Sequence, residues 1–446
     1  SPSADQRGSV VRFGTDGVRG RANTELTAAF ALDLGRAAAK VLGADRAVVG
    51  GDSRLSTPML EAAFVAGLSS EGVEVHRLGV TPTPAVAFEA ARLDAMGAVI
   101  SASHNPYHDN GIKLFAVGGT KLPDEVESRI ESALDSLGPP SGDPAPIHGR
   151  GASAEGYVDH LLAVLEGRDL SGLRVVVDAA NGAASHLAAD VLHRTGARAV
   201  VVNADPDGTN INAGCGATEP AGLQAVVTAE RAHVGVALDG DADRLIAVDE
   251  CGDVVDGDHI IAICAADLRD RGLLHDDTVV VTVMTNLGFR LAMGEAGIAV
   301  VETPVGDRYV LEALAAGGYS LGGEQSGHVV FTRHATTGDG LLTALVLLDI
   351  VSRSGRPLSA LAAEAMTQLP QVLVNVPVAE RRSDVSDLLA DDIERWSREL
   401  GHTGRILVRP SGTEPLVRIM VEAPTADLAN QVADSLRTAL LAALGD

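Results

Sequence analysis

Cysteine, lysine and aromatic side chains are scarce in this chain of 446 residues, and no apolar run in it is long. The three cysteines, Cys215, Cys251 and Cys264, form no CxxC pair and keep no regular spacing. That excludes a disulfide framework and a cysteine-cluster metal site, and it points to a reducing compartment, the cytoplasm. No apolar stretch approaches the roughly 18 residues of a membrane-spanning helix, and no N-terminal apolar signal region is visible, so no membrane partner is expected. Positive charge is also short: 35 Lys and Arg stand against 60 Asp and Glu, for a formal net charge of -25. Nucleic acid, which calls for a basic surface, is excluded as a partner. An anionic small molecule stays compatible if cations gather in one cleft, because the local field matters more than the total. Ser1 to Gln6 read as a short disordered tail.

Ala/Leu-rich helical segments alternate with short β-branched runs at Ala47–Gly50, Ala98–Ile100, Leu173–Val177, Ala199–Val202, Val234–Leu238, Thr278–Val283 and Ala299–Glu302. This is the βαβ pattern of parallel or mixed sheets, in which ligands sit at the carboxyl ends of strands. The Pro/Gly-rich stretch from Gly138 to Pro146 can continue neither a helix nor a central strand and marks a linker. Further boundaries fall near Cys251–Asp258 and Gln368–Gln371, beyond which Val372–Val378 and Val417–Val421 read as strands of a smaller unit. The expected architecture is α/β: three tandem α/β domains with mixed sheets (1–150, 151–255, 256–369) and a smaller C-terminal α+β domain (370–446) around a central cleft. The chemical loops fall one per domain, so they act together only if the domains share that cleft.

The first loop, Ala102 to Lys113, follows the apolar run Met96–Ile100 and offers the Ser103 hydroxyl, the His104 imidazole and the Lys113 amine. Lysine occurs only at Lys40, Lys113 and Lys121, against 32 arginines. Arginine keeps its proton in a protein whereas lysine can be tuned as acid or base, so Lys113 is a chemical candidate, although three lysines must fall somewhere. The second loop places Asp239, Asp241 and Asp243 at alternate positions before Arg244. Three hard oxygen donors suit Mg²⁺ or Ca²⁺. The rivals are a solvated acidic turn and an EF-hand, but an EF-hand needs Gly where Arg244 stands, and the flanks Val234–Leu238 and Leu245–Val248 read as strands. The third loop, Gly322 to His328, follows Tyr319–Leu321. It offers Glu324 and Ser326 to sugar hydroxyls and His328 as a proton carrier, or it is an ordinary glycine-rich surface loop. The fourth, Arg409-Pro410-Ser411-Gly412-Thr413-Glu414-Pro415, has the parts of a phosphate cradle, with Arg418 close behind, or is an ordinary turn. Phe13 to Gly20 is a glycine-spaced turn with Arg19, and no Walker A. The Asp16 and Asp52 turns read as structural, and His108 as a solvent-facing turn residue.

These loops together resemble those of the α-D-phosphohexomutases, and the resemblance covers nearly the whole chain. Ala102-Ser103-His104-Asn105-Pro106 is similar to that family's phosphoserine loop, which implies a phosphoryl group on Ser103. By the same resemblance Asp239, Asp241 and Asp243 hold Mg²⁺ beside Ser103, Arg19 and Arg244 lie near the transferring phosphate, and His104 lies beside the serine. Glu324, Gln325 and Ser326 bind the sugar, and Arg409, Ser411, Gly412, Thr413 and Arg418 hold the phosphate that does not react. Gln325 looks like the form of this loop that acts on an amino sugar; phosphomannomutase/phosphoglucomutase members typically carry Met there. Thr303 to Arg308 resembles a third-domain loop that helps recognise the sugar, and Pro206 to Gly216 matches a family stretch without a role of its own here. The implied activity is an isomerase moving a phosphoryl group between O6 and O1 of a phosphosugar, with a hexose 1,6-bisphosphate as intermediate and activator, Lys113 or His328 carrying the hydroxyl proton, and a supply of amino-sugar phosphate to cell-wall precursors. A homodimer is left open. The rivals are the same chemistry on a neutral hexose, a Mg²⁺-dependent phosphatase, and a binding protein without chemistry.

Overall fold

The computed structural model describes residues 12–14, 16–140, 142–149, 154–378, 384–410 and 416–444. The chain divides into two compact units, Ser1–Val283 with Ile298–Ala363, and Met284–Gly297 with Glu364–Asp446. Among the described residues no helix is long and apolar enough to cross a membrane.

The larger unit holds three mixed sheets. The first runs in the order Phe13–Gly14, Gly17–Arg21, Asp109–Phe115, Met96–Ile100, Arg46–Gly51, Glu74–Val80, Ile147–His148. Its central strand Met96–Ile100 is buried at every position, as an apolar run covered on both faces must be. Helices Ala28–Leu42 and Thr57–Ser70 pack closely through two glycines: a Cβ on Gly67 would come within 2.1 Å of the Leu32 carbonyl oxygen, and one on Gly35 within 2.3 Å of that of Phe64. The second sheet runs Val254–Val255, Leu245–Asp249, Val234–Leu238, Arg174–Asp178, Arg198–Val202. The third runs Ala299–Thr303, Thr278–Thr282, Leu321–Gly323, Val329–Phe331.

One device recurs in all three. A parallel strand ends, a polar loop follows, and the chain returns as an antiparallel strand. The closing register pairs are Ile100 with Ile112, Leu238 with Leu245, and Gly323 with Val329. Each motif loop thus sits at the carboxyl end of a parallel strand, where an open α/β sheet presents its ligands.

Two expectations need correction, and one gains detail. Lys113 lies not in a loop but inside the strand Asp109–Phe115. Gly322 and Gly323 belong to a strand, Leu321–Gly323, so the third loop starts only at Glu324. The linker is also tied down at its end: Ser69 Oγ donates to the Ala145 carbonyl at 2.7 Å, and Ile147–His148 adds an edge strand to the first sheet.

The smaller unit is an antiparallel sheet ordered Gln371–Pro377, Leu416–Glu422, Arg405–Pro410, packed with helix Ala426–Leu444 over a core that includes Ile419, Val421, Val432 and Leu436. Buried Glu422 accepts from Arg405 Nε at 2.9 Å and from the Leu287 N–H at 3.1 Å, which brings helix Leu287–Glu295 into this unit.

Candidate active site

Ser103 is buried and has a left-handed backbone, φ 51°. For a residue with a side chain this costs of order 1–3 kcal/mol and persists only where the surroundings fix it. They do. The Ser103 N–H donates to Ser101 Oγ at 3.0 Å, and Ser101 Oγ donates to Asp52 Oδ2 at 2.5 Å. Arg54, with no exposed side-chain surface, pairs with Asp52 at 2.8 Å. Its guanidinium also donates to the carbonyls of Ser103 (2.9 Å), Asn105 (2.8 Å), Asp109 (3.1 Å) and Pro106. Asn212 Nδ2 donates to the Ser103 and Asn105 carbonyls at 2.9 and 3.1 Å. The backbone so held aims the Ser103 hydroxyl at Asp239 Oδ2, 2.6 Å away, with His104 Nδ1 at 3.4 Å.

Asp239, Asp241 and Asp243 are all buried, and one ligand oxygen of each lies within 4.8 Å of the others. A left-handed Ala242 (φ 58°) turns the loop so that alternate side chains converge. Gly240 is required by close approach, since a Cβ there would stand 2.5 Å from the Ser103 carbonyl oxygen. Asp241 Oδ2 accepts from Thr83 Oγ1 at 2.6 Å and from Lys113 Nζ at 2.8 Å, while Asp243 Oδ2 lies 3.2 Å from Lys113. Oδ1 of both Asp241 and Asp243 is buried with no hydrogen-bond partner. Burial, then repulsion from Asp243 and Asp241, pushes the Asp239 carboxyl well above its usual range. Burial also opposes charge on Asp243, but Lys113, His328 and Arg244 hold it well below. Converging hard oxygens, two of them unpartnered, fit a small divalent cation. Glu250, which would stand twelfth in an EF-hand loop beginning at Asp239, instead accepts from the Ser359 N–H at 3.3 Å.

A cavity of about 400 Å³ opens beside these loops, lined among others by Arg19, His104, Arg244, Asp307, Glu324 and His328. Arg19 Nε and Arg244 Nε are buried without a hydrogen-bond partner. Burial and the charges of Arg244 and Arg19 push His104 down to about 4, so it is neutral near pH 7. Glu324 Oε1 accepts the Gly306 N–H at 3.2 Å. Gln325 turns toward Asp256, at 3.4 Å, and Ser326 is exposed; neither lines the cavity. His328 Nδ1 lies 3.7 Å from Asp243, and its Nε2 accepts the Gly338 N–H at 3.2 Å. Burial opposes charge on this ring, while Asp243 draws its pKa up to about 9. An imidazolium, however, has no lone pair to accept the Gly338 N–H. The hydrogen bond decides for a neutral ring with its hydrogen on Nδ1.

Sequence reasoning missed several members. Asp16, read as a structural turn, faces Arg19 at 2.5 Å, Lys113 at 2.8 Å and Lys121 at 3.5 Å. Burial opposes its charge, yet those cations hold it far below the usual carboxylate range. Burial opposes charge on Lys113, but Asp16, Asp241 and Asp243 hold it well above a free lysine. Arg54, Thr83 and Asn212 carried no local signal. Asn212 gives the Pro206 to Gly216 stretch a role. Asp52 is structural as expected, through Arg54. Arg308 does not reach the cavity as a lining residue; it donates to Glu127 at 2.6 Å and pairs with Asp124.

In the smaller unit Arg409 and Arg418 face each other across adjacent strands. Burial and the Arg418 charge lower the pKa of Arg409. Ser411, Gly412 and Thr413 lie outside the described residues.

Four sequence models of the phosphoglucomutase/phosphomannomutase family match the chain: alpha/beta/alpha domain I at residues 10–139, domain II at 155–252, domain III at 256–369 and the C-terminal domain at 373–439. A phosphoglucosamine mutase of Frankia alni is 56% identical, covering 97% of this chain and 98% of that one. One from Rhodococcus opacus is 55% identical over 95% and 98%. Among solved structures, a phosphoglucomutase/phosphomannomutase family protein from Burkholderia thailandensis has a TM-score of 0.80 at 27% identity, covering 96% of this chain and 97% of that one. The N-acetylphosphoglucosamine mutase of Aspergillus fumigatus, crystallised with GlcNAc-6P and magnesium, shares the fold at a TM-score of 0.69 and 20% identity, over 98% and 97%. With family matches spanning four successive domains and full-length relatives above half identity, the chain belongs to the phosphoglucomutase/phosphomannomutase family of α-D-phosphohexomutases.

Proposed function

We propose that this enzyme interconverts glucosamine 6-phosphate and glucosamine 1-phosphate through a phosphorylated Ser103 and a 1,6-bisphosphate, in the cytoplasm, supplying UDP-N-acetylglucosamine and cell-wall precursor synthesis. The observation that carries the chemistry is the Ser103 hydroxyl at 2.6 Å from a buried triad of carboxylates. The choice of substrate rests on relatives named phosphoglucosamine mutase at 53–56% identity.

Phosphorylated Ser103 gives its phosphoryl group to the free hydroxyl of the bound monophosphate, leaving the serine hydroxyl and a bisphosphate. The bisphosphate turns over in the cleft, and its other phosphoryl group returns to Ser103. Asp239, Asp241, Asp243 and the serine oxygen would hold Mg²⁺, which supplies charge neutralisation on the phosphoryl oxygens when bound. Arg19 and Arg244, whose buried Nε–H groups have no hydrogen-bond partner, would contact the same oxygens, and His104, neutral beside Ser103, adds no competing charge. Lys113 stands charged and is the candidate proton donor; neutral His328 is the candidate acceptor once the long Gly338 contact gives way. Of the three sugar-binding candidates in this loop, Glu324 lines the cavity and takes sugar hydroxyls. Gln325, held toward Asp256, acts on sugar choice through the seating of its loop. Arg409, Ser411, Gly412, Thr413 and Arg418 grip the phosphate that is not reacting. Water must be kept out, or the phosphoserine hydrolyses.

Phosphorus-31 NMR of the purified protein with Mg²⁺, a trace of hexose 1,6-bisphosphate, and glucosamine 6-phosphate or glucose 6-phosphate in parallel tests this. Formation of glucosamine 1-phosphate in clear preference is expected. Preference for glucose moves the enzyme to the neutral-hexose branch of the family; release of inorganic phosphate alone defeats the mutase reading.

A further inference from the structure

At the edge of the first sheet farthest from Phe13–Gly14, two strands bring an unassigned set of donors together. Alternation along Glu74–Val80 puts Glu74 and His76 on one face while Val75 enters the core. The short strand Ile147–His148 pairs in parallel, with Val75 opposite Ile147 and His76 opposite His148. The two imidazoles stack, centroids 4.6 Å apart and planes 20° from parallel. Both turn Nε2 to the same oxygen: Glu74 Oε1 lies 2.6 Å from His148 Nε2 and 3.5 Å from His76 Nε2. One ligand atom of each residue falls within 4.8 Å of the others. Arg46 Nε, 3.8 Å from Glu74, is nearest to Oε2 and leaves Oε1 free to serve the imidazoles.

We propose that Glu74, His76 and His148 form a second cation site, for Zn²⁺ or a transition-metal ion of like softness. The donor set separates it from the aspartate triad: two imidazoles and one carboxylate suit borderline ions, whereas Mg²⁺ and Ca²⁺ prefer all-oxygen sites. Ligands about 2.1 Å from a tetrahedral ion lie about 3.4 Å from one another. The His76–Glu74 distance of 3.5 Å already meets this spacing. The His148–Glu74 contact has to open by less than about 1 Å, which half-exposed side chains allow, with water filling the fourth position.

The site has a structural use. His148 stands on the last residue pair of the sheet, at the end of the Pro/Gly-rich linker that Ser69 fastens at Ala145. An ion shared between Glu74, His76 and His148 would cross-link that two-residue edge strand to its neighbour, adding to the hydrogen bonds that fasten it at Ala145 and Pro146.

Isothermal titration of the full chain with ZnCl₂, under a large excess of Mg²⁺ that occupies the aspartate triad, tests the site. One Zn²⁺ per chain is expected, weakened at least about tenfold in His148→Ala and in His76→Ala but unchanged in Cys251→Ser, which removes the exposed thiol as a rival ligand. Both histidine variants should keep the wild-type mutase rate in Mg²⁺, because they sit on the outermost strand pair, level with Gly97 at the amino end of the central strand whose carboxyl end leads into the Ser103 loop. Zn²⁺ binding that survives in the histidine variants, disappears in Cys251→Ser, or is absent from the wild type under Mg²⁺ overturns the site.

Discussion

Replacing Gly240 with Ala tests how closely the serine loop and the carboxylate loop are fitted. The new Cβ would stand 2.5 Å from the Ser103 carbonyl oxygen, 2.9 Å from Asn212 Nδ2 and 2.9 Å from Ile211 Cδ1. Non-bonded heavy atoms settle near ~3.5 Å, so one loop must retreat by about 1 Å. The Ser103 carbonyl cannot swing aside alone, because Arg54 and Asn212 each hold it at 2.9 Å. The displacement therefore opens the 2.6 Å contact between Ser103 Oγ and Asp239. Overpacking of this kind costs about 1–3 kcal/mol, and a misplacement of about 1 Å at the reacting group costs about a hundredfold in rate. Gly240→Ala should fold, lose that much stability in denaturant titration, and lose about two decades of turnover, mainly in kcat. Gly222→Ala is the control, since its Cβ meets nothing within 4 Å and it sits in helix Ala221–Glu230. Wild-type turnover in Gly240→Ala, with unchanged stability, would refute the close fit.

Arg54→Lys keeps a charge beside Asp52 but cannot span four carbonyls, and should cost about 2–4 kcal/mol together with turnover; a loss under about 0.5 kcal/mol would show that the guanidinium is dispensable. Mg²⁺ at a hundred times its Kd should raise the unfolding free energy by about 2.7 kcal/mol, and Asp241→Asn should lose most of that increment; equal stabilisation of the variant places the ion elsewhere. Burial pushes the Asp339 carboxyl up to about 7 against hydrogen bonds from the Leu342 N–H and Tyr157. Its folded pKa lies above its unfolded one, so the native state binds the extra proton between about pH 4 and 7 and stability falls as pH rises through that window. Asp339→Asn keeps the helix cap and should flatten this slope, leaving the variant more stable than wild type above pH 7 by roughly 1–3 kcal/mol; an unaltered slope in urea titrations across that range counts against it.

Strands buried on both faces were the most legible part of the fold. The run Val234–Leu238 coincides with its strand, and the run Thr278–Val283 overshoots the strand Thr278–Thr282 by one residue, because a continuous β-branched run has few alternatives. Asp109–Phe115 was not legible, since Asp, Asn, Gly and Lys give it the composition of a turn. Its polar residues are satisfied from a distance instead: Asn110 Nδ2 donates to Ser56 at 2.8 Å and Thr57 at 3.1 Å. Gly111 stands there because a Cβ would come within 2.5 Å of the Ser101 carbonyl oxygen. The Gly322–Gly323 strand was hidden in the same way, by side chains missing for the sake of close approach to the Val280 and His328 carbonyls.

In the site, the groups proposed to do chemistry are readable because they cluster in short loops, while the groups that hold those loops are not. Arg54 acts on Ser103 across 49 residues, Asn212 on Ser103 across 109, and Thr83 on Asp241 across 158. No window of sequence contains both partners of any of these contacts. Asp16 shows the subtler failure. In a chain with net charge -25, one more acidic turn carries no signal. Yet Arg19, Lys113 and Lys121 converge on it, and three cations in one place would repel without a buried counter-charge. On the proposed reading, a pocket for an anion in an acidic protein is built by interleaving: carboxylates hold cations in position, while Arg19 and Arg244 keep buried Nε–H groups without a hydrogen-bond partner. The total charge is blind to this arrangement, because it counts Asp16 against the pocket when its position makes the pocket's cations tenable.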